Sequence, residues 1–151
     1  ETETRDYDYG IYNDPIRSPL ERLRAIHVAR HLDLGLLDKA ASLIRGEHDF
    51  RAFTPAKSHH KRFVRTVKNS SWEVRDGLLV YRITANSFLY GMVRSLVGTM
   101  LEVASGRREL SDLVHLLEGA ERSEAGPAAL ARGLTLVSVD YDNLDFGGGI
   151  Q

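Results

Sequence analysis

The fold of this chain is decided by a segment of helical length that reads Asn86-Ser87-Phe88-Leu89-Tyr90-Gly91-Met92-Val93-Arg94-Ser95-Leu96-Val97-Gly98. Arg94 is the only charged residue between Arg82 and Glu102, and most of its neighbours are apolar. This pattern predicts a helix, continuing to about Ala104, that is buried on most of its circumference. A guanidinium is rarely tolerated in such a place unless a carboxylate or a phosphate meets it. Arg94 is therefore predicted to be the partner of an anion.

The side of the predicted helix that carries Arg94 also carries small residues. Spacings of three, four and seven residues place five others there: Ser87, Tyr90, Gly91, Gly98 and Leu101. The small residues among them let another backbone or a substrate approach Arg94 closely. An alternative stays open, in which Arg94 meets the C-terminus of a helix or an aspartate of this same chain.

The segments before this helix show strand and helix patterns in turn. Residues 5–12 alternate, which predicts a strand with Tyr7 on its apolar face. Residues 13–33 include two prolines and predict an irregular connection. Residues 36–44 have the spacing of a short amphipathic helix that ends before Gly46.

The remaining segments complete an α+β pattern. Residues 62–74 and 78–85 predict two strands, and the Asp-Gly pair between them favours a tight hairpin turn. Residues 110–117 predict a further helix, and residues 134–141 a closing strand. The sequence thus predicts one α+β domain with a mainly antiparallel sheet, helices packed on one face, and the Arg94 helix central in the core.

Composition limits the function classes. The chain has 151 residues and a net charge of −1, which excludes a globally basic nucleic-acid binder but leaves room for a local basic face. The absence of cysteine excludes disulfides and thiolate zinc sites and suits the cytoplasm, where we expect the protein. No apolar run reaches the length of a membrane span, and no signal peptide is visible. The start without methionine reads as a cut from a longer protein. We expect a domain over residues 1–145 and a disordered tail over residues 146–151.

The segment from Phe50 to Trp72 is basic and contains no acid. Its cations are Arg51, Lys57, Lys61, Arg62, Arg65 and Lys68. Such a run is usually a solvated face. Here it adjoins a loop at residues 54–58 and leads into a strand, an arrangement that suits an edge tracking RNA phosphates. We therefore interpret Lys57, Lys61, Arg62 and Arg65 as RNA-binding candidates.

Two adjacent residue pairs that contain histidine invite a chemical interpretation, which we reject for each. The pair His59-His60 has no further ligand at a suitable distance in the sequence, so no metal site is predicted. The pair His48-Asp49 follows a predicted helix, where adjacent polar residues more often brace a turn than form a catalytic dyad.

The order and spacing of the segments resemble the carboxy-terminal domain of the tRNA pseudouridine synthase A (TruA) family, from residue 5 to about residue 141. The resemblance rests on three stretches: Arg5-Asp6-Tyr7-Asp8-Tyr9 with Ile11-Tyr12-Asn13, Gly46-Glu47-His48-Asp49-Phe50-Arg51-Ala52-Phe53, and the segment quoted above. It implies a fold of the pseudouridine synthase type. It also implies isomerisation of uridine to pseudouridine in the anticodon stem-loop of tRNA, without cofactor or metal. Dimers are common in the family, so a homodimer is implied for the full-length protein.

The same resemblance assigns roles to two residues. It implies that Tyr7 stacks on the target base and acts in the final deprotonation, and that Arg94 pairs with the catalytic aspartate. That aspartate belongs to an Arg-Thr-Asp motif on an amino-terminal domain, and here Arg65-Thr66 is followed by Val67. We therefore interpret the chain as a domain without its nucleophile, inactive alone.

Two less specific interpretations remain beside these. Apart from the resemblance, Tyr7 in an alternating strand is best explained as a half-buried core tyrosine. The rival function is a non-catalytic RNA-binding module that uses the basic segment, residues 51–68.

Overall fold

The structure, a computed structural model, describes residues 3–13 and 25–141 of the chain. Its strands are β1 (Glu3–Tyr12), β2 (Ile26–His27), β3 (Gly46–Asp49), β4 (Val64–Arg75), β5 (Leu78–Ala85) and β6 (Leu134–Tyr141). Its helices are α1 (Leu34–Ile44), α2 (Met92–Ala104) and α3 (Leu110–Leu116). The strand order is β2-β1-β5-β4-β3, with β6 paired to β1 as well. The pairings are antiparallel except for the short β1–β2 pair, which confirms the predicted fold class.

The hairpin between β4 and β5 forms where the sequence predicts it. Asp76 has a φ of 52° and Gly77 a φ of 80°, so both turn residues are in the left-handed region that a two-residue hairpin turn requires. The turn sets the register in which Trp72 faces Tyr81, with ring centroids 5.2 Å apart. Tyr81 is fully buried.

Alternation along the strands gives the sheet one apolar and one polar face. Tyr9 of β1 lies opposite Tyr81 of β5 in the apolar face, and both side chains are fully buried. One residue along each strand, Asp8 lies opposite Arg82 in the polar face. The helices cover the apolar face: α1 packs on β4, α2 packs on β1, and α1 also packs on α2 and α3.

The helix that carries Arg94 begins later than predicted. α2 starts at Met92, and residues 86–91 form a loop. Gly91, with a φ of 71°, precedes the first helical residue and cannot belong to a right-handed helix in that conformation. The prediction that Ser87, Tyr90 and Gly91 share a helical side with Arg94 is therefore wrong. The predicted burial is confirmed, since most side chains of α2 are buried.

The segment that follows α1 differs from the expectation. Gly46–Asp49 forms the edge strand β3 instead of the expected turn, because its backbone pairs with β4. The side chains still brace the local backbone, as predicted: His48 Nε2 lies 2.9 Å from the carbonyl oxygen of Arg45, and Asp49 accepts from the backbone N–H of Arg51 at 3.0 Å.

The connection at 13–33 contains the short strand β2, while residues 14–24 lie outside the described part. The boundary at residue 145 and the tail at 146–151 also lie outside it.

Candidate functional site

Tyr7 lies in β1 with its ring against a second aromatic side chain. It is half-buried, and its neighbours across the sheet are Ile83 on β5 and Leu136 on β6. The ring of Phe88, from the loop before α2, meets the ring of Tyr7 edge to face at 5.0 Å and 84°. The contact fixes one side of the Tyr7 ring. The expected half-buried tyrosine is present, and an aromatic partner orients it.

Tyr9, two residues further along β1, is held differently. Its ring is fully buried, and its hydroxyl donates to the carbonyl oxygen of Leu130 at 2.5 Å. Gly133 makes room for it, because a Cβ there would lie 2.6 Å from the Tyr9 ring. Burial raises the pKa of Tyr9 to about 12, although the charges of Arg94 and Arg132 act in the opposite direction. Tyr9 is therefore a neutral structural residue.

Arg94 lies in the first turn of α2, half-buried against the segment that follows α3. Its Nε donates to the carbonyl oxygen of Ala129 at 2.8 Å, and the N–H of Ala129 donates back to the carbonyl oxygen of Arg94 at 2.9 Å. A Cβ on Gly98 would lie 2.3 Å from the carbonyl oxygen of Pro127, so this approach requires glycine. The predicted close approach of another backbone to Arg94 is thus confirmed.

The carboxylate expected for Arg94 does not come from the described part of the chain. Among residues 3–13 and 25–141, Arg94 forms no ion pair, and its described hydrogen bond uses Nε. Neither alternative from the sequence, a helix C-terminus or an aspartate of this chain, is seen there. The terminal nitrogens of the guanidinium are therefore the donors left for an anion.

The carboxylates nearest to Tyr7 along β1, those of Asp6 and Asp8, are already hydrogen-bonded to other residues. Asp8 accepts from Arg82 at 2.7 and 2.9 Å and from Arg75 at 3.1 Å. Burial acts to raise the pKa of Asp8, but the hydrogen bonds and charges of Arg82 and Arg75 outweigh it and lower that pKa. Asp6 accepts from the hydroxyls of Thr84 and Ser138. These acids stabilise the polar face of the sheet.

The basic segment lies beside the loop that carries Phe88. Thr54 donates its hydroxyl to the carbonyl oxygen of Tyr90 at 2.8 Å, and the N–H of Tyr90 donates to His60 Nε2 at 3.0 Å. His60 is thus an acceptor in a loop-to-loop contact. The predicted RNA-binding residues fall into two groups, since Lys57, Lys61 and Arg62 are exposed whereas Arg65 is partly buried at the start of β4.

Comparison with known proteins identifies the family. Residues 40–142 match the family model described as tRNA pseudouridine synthase. The chain belongs to the tRNA pseudouridine synthase A family. The relative from Herminiimonas arsenicoxydans, named tRNA pseudouridine synthase A, is 39% identical over 92% of this chain and 50% of its own length. The relative of that name from Acetivibrio thermocellus is 41% identical over 89% of this chain and 55% of its own length. The one from Brevibacillus brevis is 37% identical over 93% of this chain and 58% of its own length. The chain spans about half the length of the curated relatives it matches.

Membership in the pseudouridine synthase A family agrees with the resemblance found in the sequence. Among the described residues, no three His, Cys, Asp or Glu side chains are grouped as a metal site would require, and no helix is long and apolar enough to cross a membrane.

Sequence reasoning missed several contacts around Tyr7 and Arg94. The Phe88 ring on Tyr7 and the cluster around Asp8 join residues far apart in the chain. A signal for the Asp8 cluster was present, because alternation places Asp8 and Arg82 on the polar faces of two predicted strands. The contact of Arg94 with Ala129 had no such signal, since residues 125–130 have no regular pattern.

Proposed function

We propose that this chain is the carboxy-terminal domain of an enzyme that isomerises uridine to pseudouridine in the anticodon stem-loop of tRNA. The observation that carries the proposal is the position of Tyr7. Its ring is oriented by Phe88, and the loop of Phe88 touches the basic segment. An aromatic ring whose neighbouring loop contacts a segment rich in cations is suited to hold a nucleotide by its base and its phosphates together.

The reaction explains why such a ring is useful. It breaks the bond between N1 of uracil and C1′ of the ribose, joins C1′ to C5, and exchanges the C5 proton for one on N1. A uridine inside a stem-loop must leave its stack before this chemistry, and base–aromatic stacking contributes about 1–3 kcal/mol per base. In the proposal, Tyr7 stacks on the uracil and its hydroxyl assists the loss of the C5 proton.

Arg94 receives the carboxylate of the nucleophile in this proposal. The terminal nitrogens of its guanidinium, which have no partner among the described residues, match the two oxygens of a carboxylate, which is the strongest arrangement for such a pair. The acids Asp6 and Asp8 of β1 are already hydrogen-bonded. In line with the family resemblance, the proposal takes the aspartate from an Arg-Thr-Asp motif on a separate domain. We place the complete enzyme in the cytoplasm, as a homodimer.

Lys57, Lys61, Arg62 and Arg65 bind tRNA phosphates in the same proposal. Their charges supply affinity and position the substrate, whereas the site around Tyr7 reads the extruded base. No cofactor or metal is required.

The test uses the whole protein that contains this chain, incubated with tRNA carrying tritium at C5 of uridine. The C5 hydrogen is lost as a proton after the C5–C1′ bond has formed and carries the tritium into water, so we expect release by the whole protein and none by the 151-residue chain alone. Release by the isolated chain would overturn the assignment of the nucleophile to another domain. A whole protein that binds tRNA without releasing tritium would favour the rival function, an RNA-binding module without chemistry.

A further inference from the structure

A polar groove of about 400 Å³ lies between the start of β4 and the loop at 86–91. Its polar lining residues are Glu47, Arg62, Arg65, Thr66, Asn86 and Ser87. It joins one end of the basic segment to the loop that orients Tyr7.

The guanidinium of Arg65 is fixed in this groove before any ligand arrives. Its Nε donates to the hydroxyl oxygen of Ser87 at 3.0 Å, and its Nη1 donates to the carbonyl oxygens of Arg62 and Val64, both at 2.9 Å. Three hydrogen bonds to neutral acceptors set the plane of the group without neutralising it. No described residue meets the terminal Nη2, which is left as a donor.

The positive charge of Arg65 is not balanced within the described residues, where it forms no ion pair. Burial lowers the pKa of Arg65, and the neighbouring charge of Arg62 adds to the effect. Guanidinium groups nevertheless stay protonated in proteins, so the groove contains a cation that has lost part of its hydration. An anion hydrogen-bonded to Nη2 would replace the hydration that Arg65 has lost through burial.

The other lining groups define which anion fits. The hydroxyl of Ser87 accepts from Arg65, so its own hydrogen can be donated to a ligand oxygen. Glu47 opposes binding, since a carboxylate repels any anion, and it repels a dianion more strongly than a monoanion. The groove therefore favours a phosphodiester, which has one negative charge, over a free phosphate, which is partly a dianion near neutral pH.

We propose that this groove binds one phosphodiester of the RNA backbone, next to the nucleotide whose base stacks on Tyr7. The role of that nucleotide rests on the proposed function. Ser87 is the residue before Phe88, whose ring lies 5.0 Å from the ring of Tyr7, so the phosphate site and the stacking site share one short loop. Arg65 and Ser87 thus fix the position of the sugar that is attached to the reacting base.

The anion site is tested first with small probes. The side-chain Nε–H signals of the 151-residue chain are followed by NMR during titration with dimethyl phosphate, a monoanionic diester, and with inorganic phosphate. We expect the Arg65 signal to shift in preference to that of Arg107, an exposed arginine outside the groove. Glu47→Gln is expected to improve the affinity for inorganic phosphate more than that for dimethyl phosphate. An unshifted Arg65 signal with both probes would overturn the site.

Binding of tRNA to the same chain tests the RNA part. A lysine keeps the charge but loses the fork of donors, so Arg65→Lys is expected to weaken binding about tenfold. Glu47→Gln is expected to strengthen it, and the control Arg107→Lys to leave it unchanged. If Arg65→Lys does not fold, two other variants test the site. Ser87→Ala is expected to weaken tRNA binding, and Glu47→Gln to strengthen it.

The outcomes separate the two proposals. If tRNA binds but neither Arg65→Lys nor Glu47→Gln alters its affinity, the phosphodiester site is wrong and the proposed function stands. If dimethyl phosphate binds in the groove but tRNA does not bind the chain or the whole protein, the proposed function fails. The RNA assignment of the groove then fails with it, while the anion site itself is confirmed.

Discussion

Tyr9 and Arg94 hold two successive carbonyl groups of one segment. The Tyr9 hydroxyl donates to the carbonyl oxygen of Leu130, and Arg94 Nε donates to that of Ala129. A strand and a helix are thereby tied to the same irregular stretch. Because one nitrogen of the guanidinium is used for this contact, the orientation of the remaining donors of Arg94 depends on where this segment lies. Positioning of the proposed active site is therefore linked to the packing of residues 127–130.

Gly98→Ala tests this link. In a free helix the change would stabilise by about 1 kcal/mol, because alanine has the higher helix propensity. Here the added Cβ would lie 2.3 Å from the carbonyl oxygen of Pro127, a backbone atom that cannot move alone. We expect a net loss of about 1–3 kcal/mol in the free energy of unfolding, measured with urea.

Gly126→Ala is the matched control. Its added Cβ would meet the carboxylate of Glu102 at 2.5 Å, but this is the end of a side chain that can move away by giving up its ion pair with Arg108. We expect a smaller loss than for Gly98→Ala. Equal losses would show that the backbone contact beside Arg94 has no special rigidity.

Arg94→Ala in the whole protein is expected to lower turnover far more than tRNA affinity. The proposed partner of Arg94 is a carboxylate of the enzyme, so its loss affects the reacting groups and leaves the phosphate contacts in place. The measurement is kcat and KM for tritium release, with a melting temperature to account for the lost contact with Ala129. A rise in KM at unchanged kcat would contradict the assignment and make Arg94 a tRNA-binding residue.

Tyr7→Phe separates the two roles assigned to that side chain. Phenylalanine keeps the stacking surface and the contact with Phe88 but lacks the hydroxyl. We expect unchanged tRNA affinity, and a turnover lower by about 10²–10⁴-fold if the hydroxyl takes part in proton transfer. Tyr7→Ala should lower both. Full turnover of Tyr7→Phe would limit Tyr7 to stacking.

Salt should weaken tRNA binding by the isolated chain steeply, since the phosphate contacts alone supply its affinity. Replacing Lys61, Arg62 and Arg65 together with alanine is expected to abolish binding. Lys57→Ala alone should lower the slope of log affinity against log salt by about one. Arg94→Ala is expected to leave affinity and slope nearly unchanged. Affinity that is insensitive to salt would exclude the phosphate-tracking edge.

The sequence predicted the features that depend on neighbouring residues and missed those that depend on contacts between distant segments. The hairpin at Asp76-Gly77 and the helices depend on neighbouring residues, so turn chemistry and periodicity predict them. The start of α2 was missed because the apolar run continues through Gly91, although glycine before a helix is itself a capping signal. The contacts of Tyr90 with His60 and of Arg65 with Ser87 join distant segments, and no local pattern encodes them.

Asp8 gives a prediction for acid stability. Its pKa in the folded chain is lowered, chiefly because Arg82 and Arg75 outweigh the effect of burial, so the folded state binds its proton less tightly than the unfolded state. The stabilisation is therefore fully present above the unfolded pKa of about 4 and is lost as the pH falls through the lower folded value. Asp8→Asn lacks this titration. We expect the difference in free energy of unfolding between wild type and Asp8→Asn to be largest near neutral pH and to shrink steadily below pH of about 4. A difference that stays constant down to the acid end would show that the contacts of Asp8 with the two arginines do not depend on its charge.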